Sequence, residues 1–118
     1  MSAADLIDLA IARQAACHVC LDDGELVGHV TAFGQRGIWW VQSLCVAEKY
    51  RRSGFGRQLL KRTMRDVPRG RSAQAFVLER NGVGLEFFAA CGFRVLKLMP
   101  SFAGDEDGDR RVLMVRRR

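Results

Sequence analysis

Apolar and polar positions change period several times along this chain. In residues 3–14, AADLIDLAIARQ, Leu6, Leu9 and Ala10 recur at helical spacing with Arg13, which predicts a short amphipathic helix. ACHVCLDDGELVGHVTAF reads as two β-runs around Asp-Asp-Gly-Glu, since an Asp-Gly turn accepts positive φ at low cost. IWWVQSLCVA is β-branched and aromatic and predicts a third, buried strand. The period then lengthens. In RRSGFGRQLLKRTMRDVP, Phe55, Leu59, Leu60, Met64 and Val67 share one helical stripe, and Arg57, Lys61, Arg62 and Arg65 stand opposite. Pro68 and Gly70 end that helix. AQAFVLE predicts a strand, Asn81 caps a helix through GVGLEFFAAC, and Gly92 stops it. FRVLKLM and RRVLMV are two more strands around the acidic stretch GDEDGD. The predicted order is α-β-β-β-α-β-α-β-β.

Composition narrows this reading. A chain of 118 residues suits one domain over residues 1–118, with room for a single core. No apolar run approaches the roughly 20 residues that span a bilayer. The first residues carry Asp5 and Asp8 and no early positive charge, so the expected location is the cytoplasm, with Cys17, Cys20, Cys45 and Cys91 as free thiols. Cys17 and Cys20 have a zinc-like spacing but no second ligand pair follows, so they read as small strand residues and no metal is expected. The formal net charge of +6 favours anionic ligands. Residues 51–71 hold most of one basic cluster, with Asp66 the only acid among them, and the chain ends in three arginines. No aromatic side chains interleave a basic stripe and no helix-turn-helix signature occurs, which argues against nucleic acid as the partner.

The stretch Arg51-Arg52-Ser53-Gly54-Phe55-Gly56 lies between a predicted strand and a predicted helix. There the glycines let successive backbone N–H groups approach an anion, and the helix N-terminus adds about half a positive charge. Arg51, Arg52 and Arg57 flank the cradle. It lacks the Gly-Lys-Ser/Thr ending of a nucleoside triphosphatase loop, and Leu59 stands where a dinucleotide fingerprint needs its third glycine.

Two motifs in this order resemble the GNAT family of N-acetyltransferases. Arg51 to Gly56 is similar to that family's Gln/Arg-x-x-Gly-x-Gly acetyl-CoA loop. Asn81 to Phe93 is similar to its Asn-x-x-Ala-x-x-Phe/Leu-Tyr-x-x-x-Gly-Phe stretch. The resemblance covers roughly residues 25–98. It implies an α/β (α+β) fold with a mixed, splayed central sheet flanked by helices, shortened at the N-terminus. It implies acetyl-CoA as cofactor, with its pantetheine arm in the split between two parallel strands. The backbone of Leu44, Cys45 and Val46 would pair with the pantetheine. The amides of Arg52, Ser53, Gly54, Phe55, Gly56 and Arg57 would hold the pyrophosphate, with Arg51 alongside. Asn81 would bond near the thioester, and a plain helix cap is compatible with that role.

The sequence departs from the family in three places. Phe88, which the resemblance places among the cofactor-binding residues, stands where a general-acid Tyr is common, and Gln42 where a general-base Glu is common. The part before the hairpin is short, so either the acceptor site is reduced or a second subunit completes it, which leaves a homodimer open. Glu79, at the end of a strand near the expected cleft, and His29, with a suitable ordinary pKa, are the candidate bases. Each also has a bland reading, Glu79 as an ion-pair partner and His29 as a solvated strand residue. Trp39, Trp40 and Gln42 are candidates to line the acceptor side. Adjacent strand residues face opposite ways, so at most one Trp reaches it. The expected activity is acetyl transfer to an amine of a protein or small molecule in a ternary complex. The rival reading is a weakly active or inactive acyl-CoA-binding module on the same fold.

Overall fold

Two tight hairpins start the sheet, and their turn residues explain why. Asp23 and Gly24 have φ of 51° and 80°, and Arg36 and Gly37 have 53° and 81°. Two consecutive positive φ values make the turn whose twist matches paired strands. The first hairpin joins β1 (Ala16–Asp22) to β2 (Glu25–Gln35), and the second joins β2 to β3 (Ile38–Val46). The computed structural model describes residues 16–100 and 110–118; the helix expected over residues 3–14 and the acidic stretch lie outside them.

After β3 come a 3₁₀ turn at Glu48–Tyr50, α1 (Phe55–Asp66), β4 (Ser72–Leu78), α2 (Gly82–Ala90), β5 (Arg94–Met99) and β6 (Arg111–Arg117). The six strands line up as β1-β2-β3-β4-β6-β5. All neighbours are antiparallel except β3 and β4, which α1 joins as a crossover. The observed order matches the expected one over the described residues.

Strand alternation puts Val30, Val41, Ala73, Ala75, Val77 and Met114 on the face that meets the helices. α1 adds Leu59, Leu60 and Met64, and α2 adds Phe88. Leu60, at 1% exposure, is the largest fully buried side chain among the described residues. Thr63 is buried within this apolar stripe because its hydroxyl donates to the Leu59 carbonyl at 3.1 Å. Trp39 packs against the core, and its ring crosses Gly34, where a Cβ would come within 2.8 Å of it. Trp40 points the other way and stacks on Phe76, with centroids 5.4 Å apart and planes 12° from parallel. Among the described residues no helix is long and apolar enough to cross a membrane.

Candidate functional site

The parallel pairing of β3 and β4 lasts only three residues. Ile38, Trp39 and Trp40 face Ser72, Ala73 and Gln74, and beyond them no pairing continues. The cause lies in β3. Val41 pairs with Ala32 and Ser43 with Thr31, so Gln42 is an extra residue with no partner on β2. Such a bulge bends the strand that carries it. The sheet therefore splits between Gln42–Val46 on one side and Ala75–Leu78 on the other. Leu44 and Val46 pack toward the core, while Cys45 is exposed. The split leaves the β4-facing edge of β3 without a neighbour beyond Trp40, and an extended polar chain can pair there.

The loop before α1 lies at the end of β3. Its own hydrogen bonds engage the N–H groups of Tyr50, Arg51 and Ser53, which donate to Ala47, Glu48 and Tyr50 at 2.9, 3.1 and 3.3 Å. The Ser53 hydroxyl also donates to the Tyr50 carbonyl. Arg52 and Gly54 take left-handed φ values of 65° and 89°. Gly54 caps α1 with no side-chain hydrogen bond. The N–H groups of Arg52, Gly54, Phe55, Gly56 and Arg57 have no backbone acceptor among the described residues, whereas Gln58 donates to Gly54 at 3.0 Å. These are the donors that a helix N-terminus offers to an anion. Gly56 is tight: a Cβ there would sit 3.3 Å from the Phe87 ring and 3.6 Å from Val46. Of the six expected amides, the Ser53 N–H is thus used within the loop. Arg51 reaches back to donate from Nε to the Val46 carbonyl at 3.3 Å. The loop is braced by Tyr50, which donates to Asp22 at 2.5 Å and meets the Phe55 ring edge-on at 5.7 Å. The bond to Asp22 raises the Tyr50 pKa, so the phenol keeps its proton.

The other candidates fall in three places. Asn81 follows β4, and its Oδ1 accepts from the Gly84 N–H at 2.9 Å, a helix cap at the edge of the split. Phe88 is 9% exposed and packs edge-on against Phe87 and Phe93, with centroids 5.5 and 5.1 Å away. It belongs to the core; Phe87, one residue earlier, is the ring that borders the loop at Gly56. A helical period alone could not separate these neighbours.

Glu79 lies past the end of β4, and Arg110 holds both its carboxylate oxygens, at 2.7 and 2.6 Å. That two-pronged pair raises the Arg110 pKa and occupies the oxygens a base would use. His29 lies on β2 opposite Cys45, and its Nε2 is 3.1 Å from the hydroxyl of Ser43. Burial lowers its pKa below the ordinary 6.5, so the ring is neutral at pH 7. Ser43 escaped the sequence reading because its value depends on a partner fourteen positions away. Gln42 is exposed at the bulge, and Trp40 with Phe76 forms an aromatic step on the face away from α1. Cys17 pairs with Thr31 and Cys20 with Gly28, which puts the two thiols on opposite faces of β1.

Residues 13–95 match the family model described as "Acetyltransferase (GNAT) domain". The chain belongs to the GNAT acetyltransferase family. Acetyl-CoA is the cofactor that membership brings, and the uncapped α1 N-terminus and its free amides fit its pyrophosphate. Solved structures show the same fold. Nourseothricin acetyltransferase matches with a TM-score of 0.70 and 24% identity over 80% of this chain. This chain spans 59% of that enzyme's length. The ribosomal-protein-S18-alanine N-acetyltransferase from Escherichia coli matches at 0.75 and 15% identity, over 98% of this chain and 88% of its own. A GNAT family acetyltransferase from Elizabethkingia anophelis with acetyl-CoA bound matches at 0.77 and 16% identity, over 97% of this chain and 82% of its own. No curated protein sequence matches the chain.

Proposed function

We propose that this chain transfers the acetyl group of acetyl-CoA to an amine, with the cofactor in the β3–β4 split and His29 as the proton acceptor. The observation that carries the reading is the early end of β3–β4 pairing beside an uncapped helix N-terminus. When bound, acetyl-CoA supplies an activated thioester. The chain's own part is to hold it and to ready the amine. The amides of Arg52 and of Gly54 to Arg57 bind the pyrophosphate. The backbone from Leu44 to Val46 pairs with the pantetheine, and Asn81 lies at the far bank of the split. Positioning of this kind removes much of the entropic part of the barrier.

An amine is mostly protonated at neutral pH and must lose that proton before attack. Ser43 stands on the strand that borders the split, and its hydroxyl bonds to a neutral His29. The proton passes through the Ser43 hydroxyl to Nε2. Glu79 is less suited, because Arg110 engages both its oxygens. Trp40, Phe76 and Gln42 line the acceptor side. The names of the neighbours put both a small-molecule and a protein acceptor on this fold, so the acceptor class here is an amine of either kind.

A second reading is favoured by Glu79 being tied to Arg110 and by Phe88, which lacks a hydroxyl and lies in the core. In it the chain binds acetyl-CoA and transfers slowly or not at all. Calorimetry and turnover separate the two. Acetyl-CoA titrated into the protein should bind, and Gly56→Glu should weaken binding by at least about tenfold, or 1.4 kcal/mol. Absence of binding by the wild type overturns both readings. Binding without acetylation of any amine in a panel of peptides, aminoglycosides and polyamines leaves the second.

A further inference from the structure

The flank of α1 forms a basic trough that starts at Arg57, beside the cofactor loop, and continues well beyond it. Arg57, Lys61 and Arg65 recur every four residues, about 6 Å apart along the helix axis. Facing them, β6 ends in Arg116 and Arg117, and Arg118 follows. Two adjoining cavities of about 380 and 250 Å³ share Lys61 and Arg116, so the trough runs continuously from Arg57 to Arg118. Leu60 and Met64 contribute its apolar floor.

The guanidinium groups at the lower end are anchored without being neutralised. Arg118 donates from Nη1 to the Arg65 and Val67 carbonyls at 2.7 and 2.6 Å. Arg116 donates from Nη1 to the Cys91 carbonyl at 2.9 Å. Among the described residues, no Asp or Glu side chain lines either cavity. Asp66, next to Arg65 in sequence, is bound instead to His18 at 2.5 Å. Like charges gathered around a concave surface, with no Asp or Glu side chain among them, lower their energy when an anion enters.

We infer that this trough docks an acidic polypeptide segment in extended form. Alternate side chains of an extended peptide lie about 6.6 Å apart, close to the spacing of the cations on α1. Arginine forks match carboxylates in pairs. Single-stranded nucleic acid binds through aromatic platforms as well as cations, and no aromatic side chain lines the trough. The upper end at Arg57 adjoins the cofactor loop, but Arg65 is eight residues, about 12 Å, further along the helix. The inference does not rest on acetyl transfer.

The test is fluorescence anisotropy with a labelled oligoglutamate peptide at low salt. The peptide should bind, and its affinity should fall steeply as salt rises. Lys61→Glu and Arg117→Glu should each weaken it by about tenfold or more, with circular dichroism and acetyl-CoA affinity unchanged. Three results overturn the inference. One is no peptide binding. Another is tighter binding of an oligothymidylate of equal charge. The third is displacement of the peptide by acetyl-CoA, which would make the trough part of the cofactor site.

Discussion

His29 and Ser43 form the only side-chain pair on the β2–β3 ladder that joins a neutral imidazole to the strand bordering the split, among the described residues. If it takes the acceptor's proton, His29→Gln should lower kcat by about a hundredfold or more while leaving the KM for acetyl-CoA unchanged. The wild-type rate should fall as pH drops below 6.5, because burial puts the folded pKa under that value and protonation removes the base. Stability follows the same sign. Between the folded and unfolded pKa values the unfolded chain binds more protons, so stability is lost as pH falls below 6.5, and the His29→Gln variant lacks that part of the loss. Thermal denaturation across pH 5 to 8 reads it. Cysteine chemistry gives a second check at this scale. Burial raises the pKa of Cys17, Cys20 and Cys91, whereas Cys45 is exposed on the strand that borders the split. Iodoacetamide should therefore alkylate Cys45 first, and acetyl-CoA should slow that step, as mass spectrometry of tryptic peptides would show.

Each element depends on one or two positions that set its geometry. In β3 the position is Gln42. Val41 faces the core and Ser43 faces away on either side of it, so deleting Gln42 leaves both on their present faces and removes only the bend. The deletion should fold, extend the pairing of β3 with β4 and abolish acetyl-CoA binding. Calorimetry together with circular dichroism would show a folded, non-binding protein; retained binding would remove the bulge from the explanation. In α1 the buried stripe does the work. Leu60→Ala should cost about 2–5 kcal/mol in urea denaturation, because the side chain is fully buried and its loss leaves a cavity. α1 was legible as an amphipathic helix because its period repeats over three turns. α2 is shorter, and Phe87 and Phe88 differ in role only because one turns toward Gly56 and the other into the core.

For the whole molecule, the sheet order separates the two anion sites proposed above. The α1 N-terminus faces the split with backbone donors, and the flank of α1 faces β6 with side-chain cations. On those two proposals the net charge of +6 has two separate uses. The two should respond differently to salt. Peptide binding by the exposed cations should weaken markedly between low and physiological salt, and acetyl-CoA binding by converging backbone amides should weaken less. Titrations of both ligands over one salt series measure the difference.

Local order set much of this protein directly. Positive-φ Asp-Gly and Arg-Gly turns make the hairpins, the apolar stripe makes α1, and Gly54 with Gly56 marks the loop, because turn chemistry and periodicity act over a few residues. Two motifs at the right separation were enough to point to the family. Tertiary structure alone decided which Trp is buried, that Arg110 occupies Glu79, that Ser43 meets His29, and that the C-terminal arginines lie along α1. Each of these joins residues distant in sequence. Their contacts depend on strand register and on the bulge at Gln42, and a one-residue change in register reverses which face a side chain occupies.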